Sequence, residues 1–241
     1  LNIKLAVRLF RVFLHLFSGL AICALVFPCV GAARRDGWIR SWSRRLLGIC
    51  GVSLEQQGEA LAHALVVANH VSWLDIFVIN SLHPCRFVAK SEIRAWPVLG
   101  WLVAQAGTVF IARGNRRDLR HAFKGLVHSL EQGERVAFFP EGTTAAQGGL
   151  MPFHANLFEA AIDARVMVQP YALEYLDAGG ALHATVDFTG DISFAASMIA
   201  ILSGGAVRAR LVCLPPLDAR GAHRRELAAS AEQAVAAALA R

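Results

Sequence analysis

The sequence predicts an α/β protein: a mixed, mostly parallel sheet covered by helices, preceded by an N-terminal membrane-associated helical segment. Three observations carry this. Residues 12–33 form a 22-residue run without Asp, Glu, Lys or Arg. Beyond about residue 61, short apolar runs alternate with stretches of helical periodicity, the pattern of a sheet covered on both faces. Hydrophobic residues make up 55% of the 241-residue chain and charged residues only 17%, a balance that implies a membrane segment or a large apolar surface. The boundary is placed at residue 50: 1–50 as an anchoring helical region, 51–241 as the domain carrying the chemistry.

At 1.5 Å per residue the run 12–33 reaches about 30 Å, the thickness of a hydrocarbon core. Pro28 should kink or end its helix near the far end. Arg34, Arg35, Arg40, Arg44 and Arg45 follow, interleaved with Trp38 and Trp42, residue types that favour the membrane–water interface. Lys4, Arg8 and Arg11 flank the other end, so charge does not choose an orientation. A helical hairpin, or a helix lying partly in one leaflet, keeps both flanks on one side. A core helix or a cleaved signal also passes the length test, but no small-x-small cleavage site precedes the arginines.

In the second region strands are expected at 64–68, 86–89, 107–111, 135–139, 166–171, 182–188 and 206–213. The first several look buried on both faces, whereas Val207-Arg-Ala-Arg-Leu211 alternates. Helices are expected at 73–82, 92–104, 116–132, 154–163, 192–203 and 222–240, punctuated by Gly133, Gly179-Gly180 and Gly204-Gly205. Five cysteines with no Cys-x-x-Cys pair read as reduced, mostly buried thiols, and no zinc-ligand spacing occurs. The net charge of +6, carried by 21 Arg and three Lys, suits an anionic membrane or anionic substrate. Without an aromatic-basic ladder, nucleic acid is the poorest partner.

The chemistry starts at Asn69-His-Val-Ser-Trp-Leu-Asp75. An imidazole accepts a proton well when a carboxylate fixes its tautomer and stabilises the cation. His70 and Asp75 are five residues apart, about 140° around one helix, so they would diverge if both were helical. They meet if His70 ends a strand and Asp75 sits in the first turn of the next helix. Ser72-x-x-Asp75 resembles a capping box there. Alone, the pair reads equally as a capped helix beside an ordinary polar histidine. Gly107-Thr-Val-Phe-Ile-Ala-Arg113 delivers an arginine at a strand's carboxyl end, where ligands of open α/β sheets bind; Arg113 is then an anion ligand or the first residue of a surface loop. Phe138-Phe-Pro-Glu-Gly-Thr-Thr144 ends a buried strand in a turn, where Gly142 frees the backbone, Glu141 can accept from hydroxyls and Thr143 can donate. No Gly-x-Ser-x-Gly elbow, P-loop or Gly-x-Gly-x-x-Gly is present.

Taken in order, Asn69-His70…Asp75, Gly107…Arg113, Phe139-Pro140-Glu141-Gly142-Thr143 and Val168-Gln-Pro170 resemble the four blocks of the glycerolipid acyltransferases, the family of bacterial 1-acyl-sn-glycerol-3-phosphate acyltransferases. The likeness covers residues 60–175. It implies transfer of a fatty acyl group from an acyl-coenzyme A or acyl-carrier-protein thioester to the hydroxyl of a membrane lysolipid, with no cofactor beyond that donor. It implies His70 as general base and Asp75 as its orienter. Arg113 and Lys90 would face the acceptor's phosphate, with Glu141, Gly142 and Thr143 around its glycerol part. It also implies the cytoplasmic side of the inner membrane. Two positions depart from the family pattern: Thr144 where Arg usually follows Gly-Thr, and His154 in Pro152-Phe-His-Ala-Asn156 where Lys is common. Lysophosphatidic acid is the expected acceptor and lyso-ornithine lipid the alternative. A non-catalytic lipid-binding protein on the same fold is the reading from another class.

Overall fold

The computed structural model describes residues 3–111 and 116–240. Helix α1 (Ile3–Ala21) continues through a π turn (Ile22–Val26) and a 3-10 turn (Phe27–Cys29) and stops beside Pro28; α2 (Ala32–Cys50) then returns along it. Thereafter the chain runs β1 (Val52–Gln57), β2 (Leu65–Ala68), α3 (Leu74–Leu82), β3 (Arg86–Lys90), α4 (Leu99–Gln105), β4 (Val109–Ile111), α5 (Arg116–Glu131), β5 (Val136–Phe138), α6 (Glu159–Ala164), β6 (Val168–Leu176), α7 (Phe194–Ser203), β7 (Val207–Cys213) and α8 (Arg224–Leu239). The seven strands lie in the order β1-β7-β6-β2-β5-β3-β4. Only β6–β7 is antiparallel. The expected mixed, mostly parallel sheet is borne out.

Pleating sorts each strand's side chains between two apolar layers. Val66, Ala68, Phe87, Ala137 and Leu173 face α1, α2, α3 and α7. Leu65, Val67, Val136, Phe138 and Ala172 face α5, α6 and α8. β2 and β6 are buried along their whole length, which is why they read as continuous apolar runs.

Three expectations need correction. The strand placed at 182–188 is not one: it makes a single bridge, Leu176 to Leu182, then a 3-10 turn at Ala184–Val186. Both edges of β6 are already taken by β2 and β7, so 182–188 crosses the end of the sheet as a strap. Strand β1 went unread because only Val52 of Val-Ser-Leu-Glu-Gln-Gln is buried, so an edge strand offered no apolar run. The helix placed at 92–104 breaks at Pro97 into a 3-10 turn (Ser91–Ala95) and α4, because Trp96 before proline takes the extended conformation.

The N-terminal pair packs onto the domain. On α1, Leu5, Val12, His15 and Gly19 face inward, while Ile3, Val7, Phe10, Phe13, Leu14 and Phe17 form an exposed apolar stripe. His15 stacks on Trp42 at 4.3 Å. Its Nε2 donates to the Trp42 carbonyl at 2.9 Å, and the Trp42 indole donates back to the His15 carbonyl at 3.1 Å. Lys4 and Arg8 bond the Gly204 and Leu202 carbonyls at the end of α7, where cations suit the helix dipole.

His83, at the end of α3, packs edge-on against Tyr171, and its buried Nε2 has no hydrogen-bond partner among the described residues. Burial, helped by Arg135 and Arg40, pushes its pKa down from 6.5 to about 4. The folded protein therefore holds His83 neutral while the unfolded chain protonates it, so stability is full above pH 6.5 and is lost as the pH falls toward 4. His83→Phe keeps the ring contact and removes the titration. Its thermal midpoint should fall less than the parent's between about pH 7 and about pH 5. Equal falls would show that other groups set the acid limb.

Candidate active site

β2 ends at Ala68, and the chain leaves the sheet at its carboxyl edge. Asn69 fixes this exit: its amide donates to the Leu173 carbonyl at 2.9 Å and accepts the Leu173 N–H at 2.8 Å. His70 follows, before the turn into α3. Its ring stacks on Phe139 with centroids 3.9 Å apart and planes nearly parallel, and its Nδ1 lies 2.7 Å from Asp75 Oδ2. The geometry expected for this pair is thus present: His70 just past a strand, Asp75 in the first turn of α3.

Asp75 is fully buried. Oδ2 accepts three hydrogen bonds, from His70 Nδ1 and from the N–H groups of Val71 at 2.8 Å and Ser72 at 3.0 Å. Oδ1 accepts from the Tyr175 hydroxyl at 2.6 Å. The Ser72 N–H bond is one half of the capping box; the other half is absent, since the buried Ser72 hydroxyl has no partner among the described residues. A carboxylate holding four donors cannot rotate. It therefore fixes His70 with Nδ1–H toward Asp75 and leaves the Nε2 lone pair for a substrate.

Tyr175 has no counterpart in the sequence analysis. It is fully buried on β6, and burial together with Asp75 holds its pKa well above the ordinary value, so it stays a donor. Gln147 holds this part of β6 by accepting the Tyr175 N–H at 2.6 Å, and it donates to the His183 carbonyl at 3.2 Å. No spacing rule joins residues 75, 147 and 175. They meet only because β6 lies beside β2.

Glu141 makes two hydrogen bonds within the protein. It is buried, and Oε1 accepts the His70 N–H at 2.7 Å while Oε2 accepts the Met151 N–H at 2.9 Å. Both oxygens thus brace loops, one of them the loop that carries His70. Burial pushes its pKa up, partly offset by the bonds from Met151 and His70. Gly142 sits at φ +71°, a conformation that favours glycine, and packs beside the exposed His154 ring. Thr143 is exposed at the same edge. Thr144 donates to the Phe188 carbonyl, and the Phe188 N–H bonds the Val71 carbonyl at 3.0 Å. The Thr144 hydroxyl thus ties the 182–188 strap over the His70 turn. Lys90, the exposed last residue of β3, stands at the same sheet edge. Arg113 lies outside the described residues.

A cavity of about 580 Å³ opens at His70, within the ordinary range for small-molecule sites. Trp42, Phe77, Phe87, Leu102 and Phe139 give it an apolar wall, and Lys90, Thr143 and Thr144 also line it. Cys85 also lines it, but burial pushes that thiol up to about 12, so it stays protonated and is a poor nucleophile. Among the described residues no group of three or more His, Cys, Asp and Glu is placed to hold a metal ion.

Comparison with known proteins gives the family. Over 206 residues the chain is 39% identical to a lyso-ornithine lipid O-acyltransferase of Pseudomonas aeruginosa, covering 85% of this chain and 79% of that protein. Over 140 residues it is 46% identical to a 1-acyl-sn-glycerol-3-phosphate acyltransferase of Neisseria meningitidis serogroup B. That match covers 57% of this chain and 55% of the relative, so it spans about half of that protein's length. The crystal structure of the 1-acyl-sn-glycerophosphate (LPA) acyltransferase PlsC from Thermotoga maritima shares the fold, with a TM-score of 0.67 over 97% of this chain and 96% of that one, at 20% identity. The Acyltransferase family matches residues 52–174, the stretch that holds the His70–Asp75 pair and the Glu141–Thr144 turn, and the chain belongs to that family.

Proposed function

We propose that this acyltransferase moves a fatty acyl group from a thioester to the hydroxyl of a lysolipid, with His70 as general base and no covalent acyl-enzyme. The observation that carries this is His70 itself: Nδ1 is bonded to the four-donor Asp75 and the ring faces an apolar cavity. A thioester is already activated, so the chemistry needs a base for the attacking oxygen, not an enzyme nucleophile. Nε2 takes the hydroxyl proton as the oxygen adds to the thioester carbonyl. The tetrahedral intermediate then expels the thiolate, which receives that proton from Nε2. Ester and free thiol leave, and His70 is again neutral. Asp75 stabilises the imidazolium between the two transfers.

The acceptor we favour is 1-acyl-sn-glycerol 3-phosphate, giving phosphatidic acid. Lys90 at the sheet edge and Arg113 supply the charge for its phosphate. Gly142 and Thr143 border its glycerol part, with Glu141 holding the loop behind them. Lyso-ornithine lipid is the second reading. It is favoured by the relative matched over 79% of its length and by Thr144, whose hydroxyl is committed to Phe188 where a cation would serve a phosphate.

Residues 1–50 serve as the anchor in this reading, and 51–241 carry the chemistry. Ile3–Cys29 is long and apolar enough to cross a membrane. Its contacts with the domain and its one-sided apolar stripe favour a helix lying in one leaflet. Trp96 and Trp101 are also exposed and belong to the elements walling the cavity. A lysolipid could then reach His70 from the bilayer on the cytoplasmic side of the inner membrane.

The test is acyl transfer from one labelled thioester with both lysolipids competing and the His70→Ala protein as control. Label in phosphatidic acid supports the first acceptor, and label in the ornithine lipid overturns it in favour of the second. Vesicle binding with no transfer of the label to either lysolipid would favour a non-catalytic lipid-binding protein.

A further inference from the structure

One wall of the cavity is unlike the others. Phe87 on β3 and Phe138 on β5 line it from the buried sheet. Ile93, Trp96, Leu99 and Leu102 line it from residues 91–105, the stretch of 3-10 turn and α4 that joins β3 to β4. All of residues 91–105 are described, and Gly100 is the one among them that is buried. Ring contacts tie the segment to its surroundings: Trp96 lies edge-on to Phe194 of α7 with centroids 6.3 Å apart, and the Arg94 guanidinium lies 5.9 Å from the centre of the Phe110 ring on β4. A segment with so few buried apolar contacts opens locally while the rest of the fold stays intact.

The segment is also strained. Val98 has φ 63° and ψ −56°, and the Leu99 N–H donates to the Pro97 carbonyl at 2.6 Å. This is the rare positive-φ form of the three-residue turn, with a β-branched residue at its centre where glycine would sit without steric cost. Buried packing does not hold Val98 there, since the residue is half exposed. The turn folds α4 back on the 3-10 turn and sets Gly100 against the main chain of Ile93 and Arg94. A Cβ at Gly100 would collide with the Arg94 carbonyl oxygen and lie 2.7 Å from that of Ile93. The folded-back form thus depends on glycine at 100 and works against valine at 98. Strain of this kind concentrates in ligand clamps and switching segments.

We propose that residues 91–105 are a lid on the cavity, which opens to admit a long acyl chain and folds back over it once the chain is in place. This rests on the acyl-transfer reading, which supplies the ligand. Opening lets Val98 relax to an ordinary φ and parts Gly100 from Arg94. Trp96 lines the cavity and is also exposed, so it stands at the rim that moves. Closing over an empty cavity leaves Ile93, Leu99 and Leu102 without partner atoms on one side, whereas an acyl chain supplies them. The chain therefore binds the closed form better than the open one and shifts the population toward it.

The test is backbone hydrogen exchange of the full chain in dioleoylphosphatidylcholine nanodiscs, with His70→Ala so that bound thioester is not consumed. Without ligand, the amides of 99–105 should exchange at least about 100-fold faster than those of β2 and β6. Saturating palmitoyl-coenzyme A should slow them at least about tenfold, and coenzyme A without an acyl chain should change them less than about twofold. Adding V98G should slow exchange of the empty lid about threefold or more, because the strain removed outweighs the freedom that glycine adds to the open chain. Adding G100A should abolish the protection by palmitoyl-coenzyme A and leave the sheet unchanged. An empty lid protected like the sheet, equal protection by coenzyme A alone, faster exchange in V98G, or full protection of G100A would overturn the proposal. Transfer of labelled palmitate by the protein with His70 intact separates the lid from the reading beneath it. Transfer with no protection of 91–105 rejects the lid alone. Protection without transfer rejects the acyl-transfer reading and leaves a lid over an acyl-binding cavity.

Discussion

His70→Ala should lower kcat by about 10³- to 10⁴-fold, or about 4–5.5 kcal/mol of barrier, while the protein stays folded. The size follows from the double duty of Nε2, which takes the proton from the hydroxyl and returns it to the thiolate. No described residue replaces it: Cys85 is held protonated by burial, and Glu141 is bonded to two backbone N–H groups. The fold should survive because the His70 N–H, not its ring, holds Glu141. Asp75 keeps the Val71 and Ser72 N–H groups and the Tyr175 hydroxyl without the imidazole. The measurement is kcat with saturating lysolipid and thioester, alongside the thermal midpoint. Retention of more than about a tenth of the activity would be incompatible with His70 as the base.

The parts of this site that were legible in the sequence are those whose partners lie close along the chain. His70 and Asp75 are separated by one turn, so strand-then-helix geometry was enough to bring them together. Gly142 announced its positive φ by being glycine in a turn after a buried strand. The strands of the sheet's centre could be read because both faces of β2 and β6 are buried and leave no polar alternation. The illegible parts depend on lateral strand order. Tyr175 reaches Asp75 only because β6 pairs with β2, and Gln147 reaches Tyr175 only because the loop after β5 folds over that edge. The two N–H groups that Glu141 accepts, at residues 70 and 151, come from separate loops, so its bracing is not visible along the chain. The 182–188 segment carries strand-like residues, but strand propensity cannot show that both neighbours of β6 are already occupied.

Asp75 separates catalysis from structure because its two oxygens do different work, and its replacement should produce the second large effect. In Asp75→Asn the amide oxygen must take the Oδ2 position, since an NH₂ there would face the N–H groups of Val71 and Ser72. The amide nitrogen then meets the Tyr175 hydroxyl, which can turn to accept. The His70 tautomer survives and the fold loses about 1–3 kcal/mol, because the buried Tyr175 proton has lost its acceptor, but the negative charge that stabilises the imidazolium is gone, and kcat should fall by about 10³-fold or more. Asp75→Ala leaves the buried Tyr175 hydroxyl and two N–H groups without acceptors, at about 1–3 kcal/mol each, so it should unfold readily. The decisive comparison is the double variant His70→Ala/Asp75→Asn. If Asp75 acts through His70, removing it from a protein that already lacks the imidazole costs nothing further, and the double variant should turn over within about threefold of His70→Ala alone. Full additivity of the two losses would mean that Asp75 contributes to the reaction independently of His70, and the base–orienter assignment would have to be abandoned.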